Sequence, residues 1–406
     1  MASSSREAIQ SIQMELQPPM ELAFISIEAR PYRTHLLRRL VDEISDVSLH
    51  SLFLRDWTGS RWTDPPPDSI NPVHFGASAD EPRRRSFASI RGEFRRARAV
   101  VRYLDERRIA VVILNGFSTW TFLRVLAVCR RRDVPVFLRG DSNIRGDHSR
   151  RWPRRFLKRT IIEWAIRHSS GIMPMGEFGQ MYFEKYGAVP ESCFWVPYEP
   201  DYAHFESVDP ARVTAFCRAR GLTPGRKRIL FSGRLIPVKR VDMAIDGFER
   251  IADTRPDWDL LIAGDGPLEE KLRERLGGRL DHRIHWLGMC TPSEIRSAYA
   301  ASDVLVLPSE FEPWGLVVNE GMAAGLPVIA SDTVGAAHEL IRDGQSGRVF
   351  EAGNLDLFVE SLLDVTDPRH LRRYEDAVAT SLADWRHRAD PIDGIRAALR
   401  SIALLP

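Results

Sequence analysis

Three stretches in the second half of the chain carry side chains whose types and spacing suit chemistry on a charged, hydroxyl-rich ligand. The first, Ser232-Gly233-Arg234-Leu-Ile-Pro-Val-Lys239, follows an apolar run. Gly233 lets backbone approach an anion closely, and Arg234 and Lys239 set two cations across one short loop, which suits a diphosphate. The second, Ala263-Gly264-Asp265-Gly266-Pro267, also follows an apolar run. It opens like a nucleotide fingerprint, but Glu269 stands where the third glycine belongs, which weakens a dinucleotide reading. The third runs Pro308-Ser-Glu310-Phe-Glu312-Pro-Trp314-Gly315-Leu316-Val-Val-Asn-Glu320-Gly-Met-Ala-Ala-Gly325-Leu-Pro327. Here a helix is expected to begin near Gly315, with its free N–H groups and positive dipole end suited to a phosphate. Glu312 precedes that helix and Glu320 lies inside it. One carboxylate can then accept hydrogen bonds from sugar hydroxyls and the other from a ribose. Taken singly, these pieces also read as a solvated basic turn, a tight turn and surface charge; together they point to one anion-binding site.

Each stretch starts at the end of a short β run, so the fold must bring strand ends together. Strands are expected at Arg228–Ser232, Leu260–Ala263, Ile284–Leu287, Val304–Leu307, Pro327–Ala330 and Arg348–Phe350, with helices between them and Asn354 capping the one after the last. The first half has the same rhythm, with strands at Leu22–Ile27, Val47–Leu54, Ile109–Leu114, Val134–Leu138, Gly171–Met175 and Cys193–Val196. Helices are expected at Thr34–Ile44, Phe87–Arg108 and Thr119–Arg131. Such alternation is the mark of parallel βαβ units. The reading is α/β, two Rossmann-like, doubly wound parallel-sheet domains with a ligand in a central cleft between them. Residues 1–20 read as a mobile tail, 21–220 as the first domain, 221–227 as a linker and 228–385 as the second domain. Residues 386–406 are expected to form a helix that packs back on the first domain.

Composition removes several classes. Lys+Arg 57 against Asp+Glu 55 gives a net charge of +2, so the chain is not a globally basic nucleic-acid binder. The longest apolar run, Ile109 to Leu114, is far short of a membrane span. Residues 1–20 lack the apolar core of a secretory signal, which leads us to expect a cytoplasmic protein. Cys129, Cys193, Cys217 and Cys290 lie far apart with no CxxC pair, which suggests neither a disulfide framework nor a zinc site. Asp257-Trp-Asp259 matches an Asp-x-Asp metal motif, but it directly precedes a strand and reads better as a turn.

The second half resembles the donor domain of glycosyltransferase family 4, in the two-Rossmann-domain group named GT-B. The match rests on Gly233-Arg234 with Lys239, Gly264-Asp-Gly-Pro267, Tyr299-Ala-Ala-Ser-Asp-Val-Leu-Val-Leu-Pro-Ser309 and the Glu-x7-Glu pair Glu312/Glu320. It is dense from about Arg228 to Phe350. The resemblance implies a retaining, metal-independent hexosyltransferase that takes a sugar from a nucleoside-diphosphate donor to a hydroxyl acceptor. It implies that Arg234 and Lys239 neutralise the leaving diphosphate and that Glu312 holds the sugar hydroxyls. Backbone N–H groups of Trp314, Gly315 and Leu316 would face the donor, and Glu320 would bind the ribose. Gly233, Gly264, Gly266 and Met289 complete the expected donor site. No metal or other cofactor is expected; the nucleotide sugar is a co-substrate. Polysaccharide, glycolipid or glycosylated-metabolite assembly is the implied setting.

The first half departs from that family. Glu28-Ala-Arg30-Pro-Tyr-Arg33 stands where relatives carry a Gly-rich loop, and Arg139-Gly140-Asp141-Ser142-Asn143 where a His often stands. Arg30, Arg33 and Asp141 are the acceptor-side candidates, although Asp141 reads equally as a cap. Residues 82–108 hold ten arginines, and Arg150–Arg159 interleaves cations with aromatics. Such helices suit peripheral docking on anionic lipid at the inner face of a membrane, and equally suit solvated faces. The partners expected are a nucleotide sugar and a sugar, lipid-linked or small-molecule acceptor, without nucleic acid. Competing readings are a GT-B relative with changed chemistry (a pseudo-glycosyltransferase or an epimerase) and a non-catalytic nucleotide-sugar-binding protein.

Overall fold

A computed structural model of the chain describes residues 19–55, 65–76, 87–117, 119–146, 152–278 and 280–405. Residues 1–18, which hold nearly all of the expected tail, and the arginines at 83–85 and 150–151 lie outside them.

Among the described residues, twelve strands form two six-stranded sheets. The first contains β1 (Met20–Ser26), β2 (Val47–Phe53), β3 (Pro72–His74), β4 (Val111–Asn115), β5 (Val136–Gly140) and β6 (Gly171–Pro174), in the order β3-β2-β1-β4-β5-β6. The second contains β7 (Lys227–Ser232), β8 (Trp258–Ala263), β9 (Ile284–Gly288), β10 (Val304–Leu307), β11 (Val328–Ser331) and β12 (Gly347–Phe350), in the order β12-β11-β10-β7-β8-β9. The registered pairs are all parallel. Every residue of β4, β5, β8, β10 and β11 is buried, as expected of parallel strands covered on both faces, and it explains their runs of Val, Ile and Leu.

Most expected elements appear within two residues of their expected ends. Cys193–Val196 forms no named strand: a 3-10 turn at Pro190–Ser192 leads into a segment whose Val196 N donates to Pro174 O, at the end of β6, at 2.9 Å. β3 was not expected; at three residues with one proline it carries too little pattern to read. Asn354 does cap its helix, accepting from Leu357 N. The second sheet's core gathers Phe231, Ile245, Phe248, Trp258, Phe358 and Tyr374, all nearly solvent-free.

The chain packs as two compact units, Met1–Arg139 with Thr160–Met173 and Ile392–Pro406, and Gly140–Arg159 with Pro174–Pro391. The division therefore differs from a single crossing at 221–227. That segment is tied into the second unit, where Arg228 donates to Thr223 O and Ala301 O. The last helix, Pro391–Ser401, belongs almost wholly to the first unit, and Arg396 donates there to Glu43 O at 2.8 Å.

Candidate active site

In each sheet the strand order reverses at one point, and in the second sheet that point lies between β10 and β7. Loops leaving the carboxyl ends of such strands diverge to opposite sides, which opens space for a ligand. Registers Leu305↔Leu230 and Ser232↔Ala263 bring the ends of β10, β7 and β8 level. Three loops are knitted there by backbone bonds: Gly233 N to Ala263 O, Leu235 N to Asp265 O and Gly264 N to Gly288 O, all 2.8–2.9 Å. A Cβ on Gly264 would sit 1.9 Å from Gly233 O, and its φ is +136°. Only glycine fits there, because of loop-to-loop contact and left-handed backbone. The Gly-x-Gly is thus a packing device that fixes the Gly233-Arg234 turn.

The loop after β10 carries Glu312. Its backbone pairs with Val334, and Gly335 N and Ala336 N donate to Glu312 O and Trp314 O at 3.3 and 2.7 Å. Asn143, buried, donates from Nδ2 to Pro313 O at 3.4 Å while its Oδ1 accepts from Arg145 N at 2.8 Å. From that anchored loop the Glu312 carboxylate forms an ion pair with the ammonium of Lys239. Their side chains are 18% and 16% exposed, so neither is well solvated. Burial, with the nearby Arg234 guanidinium, pushes the Lys239 ammonium down to about 8. Arg234 itself is exposed.

Gly315, at φ +94°, turns the chain into the helix Leu316–Ala323; a Cβ there would meet Val334 Cγ1 at 2.8 Å. Val318 N already donates to Gly315 O at 2.9 Å, so the N–H groups ahead of it in the helix, at Leu316 and Val317, are the ones with no carbonyl one turn back. Glu320 lies in the second turn and accepts from Tyr299 Oη at 2.8 Å. Burial raises the Glu320 carboxyl to about 7, against the lowering effect of that hydrogen bond. Tyr299 is fully buried. Its helix, Pro292–Ala300, is fixed by a capping box between Thr291 and Glu294.

The structure therefore places Gly233, Arg234, Lys239, Gly264, Gly266, Glu312, Gly315, Leu316 and Glu320 on the loops and helix at the carboxyl edge of β7, β8 and β10, and Met289 just beyond β9. The Trp314 indole is 3% exposed and donates to Asn319 Oδ1, whose Nδ2 in turn donates to Tyr202 Oη. That side chain is an anchor.

Among the acceptor-side candidates, Arg30 is held by Glu28 at 2.6 Å and Arg33 donates to Glu28 O. Asp141 is exposed after β5, and Asn143, not Asp141, makes the capping contact that follows it. Asp259 belongs to β8 rather than to a turn before it. It is fully buried near the strand's amino end, accepting from Arg226 Nε at 2.8 Å with His285 beside it. It therefore lies at the opposite strand end from the Glu312 loop.

Sequence reasoning missed the work of Tyr299, Asn143 and Gly335. Tyr299 stood inside a quoted motif, but its partner is 21 residues away, and Asn143 reaches 169 residues to its loop. No local pattern reports such pairings.

Residues 215–378 match the family described as glycosyl transferases group 1. The match falls within the second half of the chain. The lipopolysaccharide core biosynthesis mannosyltransferase LpsB of Rhizobium meliloti is 35% identical over 160 residues, covering 37% of this chain and 45% of that protein. The phosphatidyl-myo-inositol mannosyltransferase of Mycobacterium leprae is 35% identical over 164 residues, covering 39% of this chain and 43% of that protein. The chain thus spans less than half the length of these relatives. The crystal structure of Anabaena Alr3699/HepE in complex with UDP and glucose matches at a TM-score of 0.69 and 18% identity, over 95% of this chain and all of that one. The architecture, two α/β units with six-stranded parallel sheets, is GT-B. Both carboxylates and both cations of the site lie within the matched residues 215–378.

Proposed function

We propose that this protein is a retaining, family-4 hexosyltransferase that moves a sugar from a nucleoside diphosphate to a hydroxyl acceptor in polysaccharide, glycolipid or glycosylated-metabolite assembly. One observation carries the reading: at the strand-order reversal, a mostly buried Lys239–Glu312 pair stands with a helix amino terminus and a partly buried Glu320 whose carboxyl is raised to about 7. As the anomeric bond breaks, positive charge grows on the sugar and negative charge on the departing diphosphate. Lys239, Arg234 and the N–H groups at Gly315 and Leu316 stabilise the second charge.

In this scheme the ion pair holds the two side chains in order until the donor arrives. A donor exchanges it: Lys239 turns to the diphosphate, and Glu312 is freed for the sugar hydroxyls. Glu320, one helical turn further in, accepts from the ribose. The UDP and glucose in the HepE complex and the mannosyltransferase relatives support this ligand class. The cations at Lys239 and Arg234 supply what a divalent ion would otherwise supply.

Calorimetry with UDP, GDP, ADP and TDP, with NAD as control, followed by donor turnover in excess EDTA, tests the proposal. Binding of one diphosphate but not NAD, with turnover that survives EDTA, is expected. Turnover abolished by EDTA and restored by Mg²⁺ or Mn²⁺ would defeat the metal-free mechanism.

A further inference from the structure

The first unit has a feature that sugar transfer does not use. Between the helix Trp120–Arg131 and the last two turns of the helix Trp152–Arg167 runs a groove of about 360 Å³, lined by Trp120, Leu123, Arg124, Ala127, Ile161 and Trp164. Trp120 is 48% exposed and packs at a tilt, ring centroids 5.2 Å apart, against Phe94, itself 47% exposed, on the helix Phe87–Glu106. Two large aromatics facing solvent beside an apolar groove cost hydration unless something covers them.

The surrounding charge says what covers them. Arg91 and Arg98 lie three residues before and four after Phe94, on its face of the helix. Arg131 continues the Ala127 face, one turn on. All are exposed, and among the described residues none of Arg91, Arg98, Arg124 and Arg131 has a carboxylate partner. The nearest acid on that helix, Glu93, is turned away, accepting from Arg96 at 2.7 Å and from Thr121 Oγ1 at 2.8 Å. No helix among the described residues is long and apolar enough to cross a membrane. An apolar groove with amphipathic Trp rings at its rim and unpaired guanidinium groups around it is the composition of a surface that lies in a headgroup layer.

We propose that this face docks on an anionic phospholipid bilayer, with Trp120 and Phe94 inserted at the headgroup level and Arg91, Arg98 and Arg124 on lipid phosphates. The inference stands on this face alone and needs no transferase activity, so the two proposals fail separately.

Co-sedimentation of the full chain with phosphatidylcholine vesicles, with and without phosphatidylglycerol, tests it. Binding is expected only with phosphatidylglycerol, and it should weaken as salt rises. Arg98→Ala and Arg124→Ala should each lower partitioning about fivefold, and Trp120→Ala at least about tenfold. Circular dichroism checks the fold of Trp120→Ala, and the two exposed arginine variants keep the test valid if that variant unfolds. Absence of binding, or equal binding by wild type and both arginine variants, overturns the proposal. So does a Trp120-dependent dimer in light scattering without vesicle binding, which would assign the face to a second copy of the chain.

Discussion

The carboxyl edges of the two sheets have the same topology and opposite chemistry. At the first edge the arginine and amide side chains named as candidates or lying beside them are held by near neighbours. Glu28 takes both Arg30 and Arg33, and Asn115 Oδ1 accepts from the buried Arg139 at 3.1 Å. At the second edge Arg234 is exposed, but Lys239 and Glu320 are partly withdrawn from water and pushed from their ordinary protonation ranges, Lys239 down to about 8 and Glu320 up to about 7. Keeping a cation and a carboxyl group buried and perturbed costs folding free energy, and such arrangements concentrate where a ligand is to take over the charges. Fold alone does not distinguish the two edges; the placement of charge does.

The comparison breaks most sharply at Lys239. Lys239→Ala should lower turnover about 10²–10³-fold, the loss of a preorganised charge at a leaving group. Arg33→Ala, at the first edge, should leave nucleoside diphosphate affinity unchanged. Because Lys239→Ala also strands the Glu312 carboxylate, the double variant Lys239→Ala/Glu312→Gln should recover thermal stability without recovering turnover. Near-normal turnover of Lys239→Ala would remove the diphosphate assignment.

The carboxylate pair sharpens the contrast within the second edge. Glu320→Gln should weaken free nucleoside diphosphate and intact donor alike, by roughly 10- to 150-fold, the worth of a charged hydrogen bond. Glu312→Gln should leave free nucleoside diphosphate nearly unaffected and weaken only the sugar-bearing donor. Calorimetry resolves the two. Equal effects on free nucleoside diphosphate would reverse the donor's orientation.

How legible each edge was follows from the same contrast. The second edge is written locally: a strand, then Gly233-Arg234 or Glu312 within a few residues, then the helix that Gly315 starts. Strand runs such as Val304–Leu307 and the cap at Asn354 are likewise local, which is why they could be read. Tyr299 on Glu320 and Asn143 on the Glu312 loop join distant segments, so only the folded chain shows them. The same holds for the boundary between units, since 140–159 and 174–220 pack with the second half although the sequence places them in the first. The spacing sets Lys239 on a short loop, but that it is mostly buried against Glu312 shows only in the folded chain, because one residue's burial depends on loops contributed by several strands.

A smaller effect comes from pH. The Glu320 carboxyl is raised to about 7, so its carboxylate is present only above that value; Lys239 is lowered to about 8, so its ammonium is lost above that one. Donor capture needs both charges, and kcat/KM reports the free enzyme. Its pH profile should therefore be a narrow bell with limbs near 7 and 8, each falling up to about tenfold per pH unit. Glu320→Gln should remove the acid limb and leave the alkaline one. A plateau running from pH 5 to 10 would mean that neither group meets the donor.

The finest distinction lies in a single hydroxyl. Tyr299→Phe keeps the ring that packs edge-on against Phe205 at 5.5 Å but removes the donor to Glu320 Oε2. The lost hydrogen bond favoured the carboxylate, so its removal should move the acid limb upward by about one pH unit. Near pH 7 that costs roughly fivefold in nucleoside diphosphate affinity, and near pH 8 only about twofold, because the ionised fraction recovers as pH rises. A packing defect would behave differently, lowering affinity by the same factor at every pH and lowering thermal stability with it. The ratio of affinities at the two pH values therefore separates a tyrosine that positions a carboxylate from one that merely fills space. A pH-independent loss would return Tyr299 to the core and leave Glu320 to be held by its burial alone.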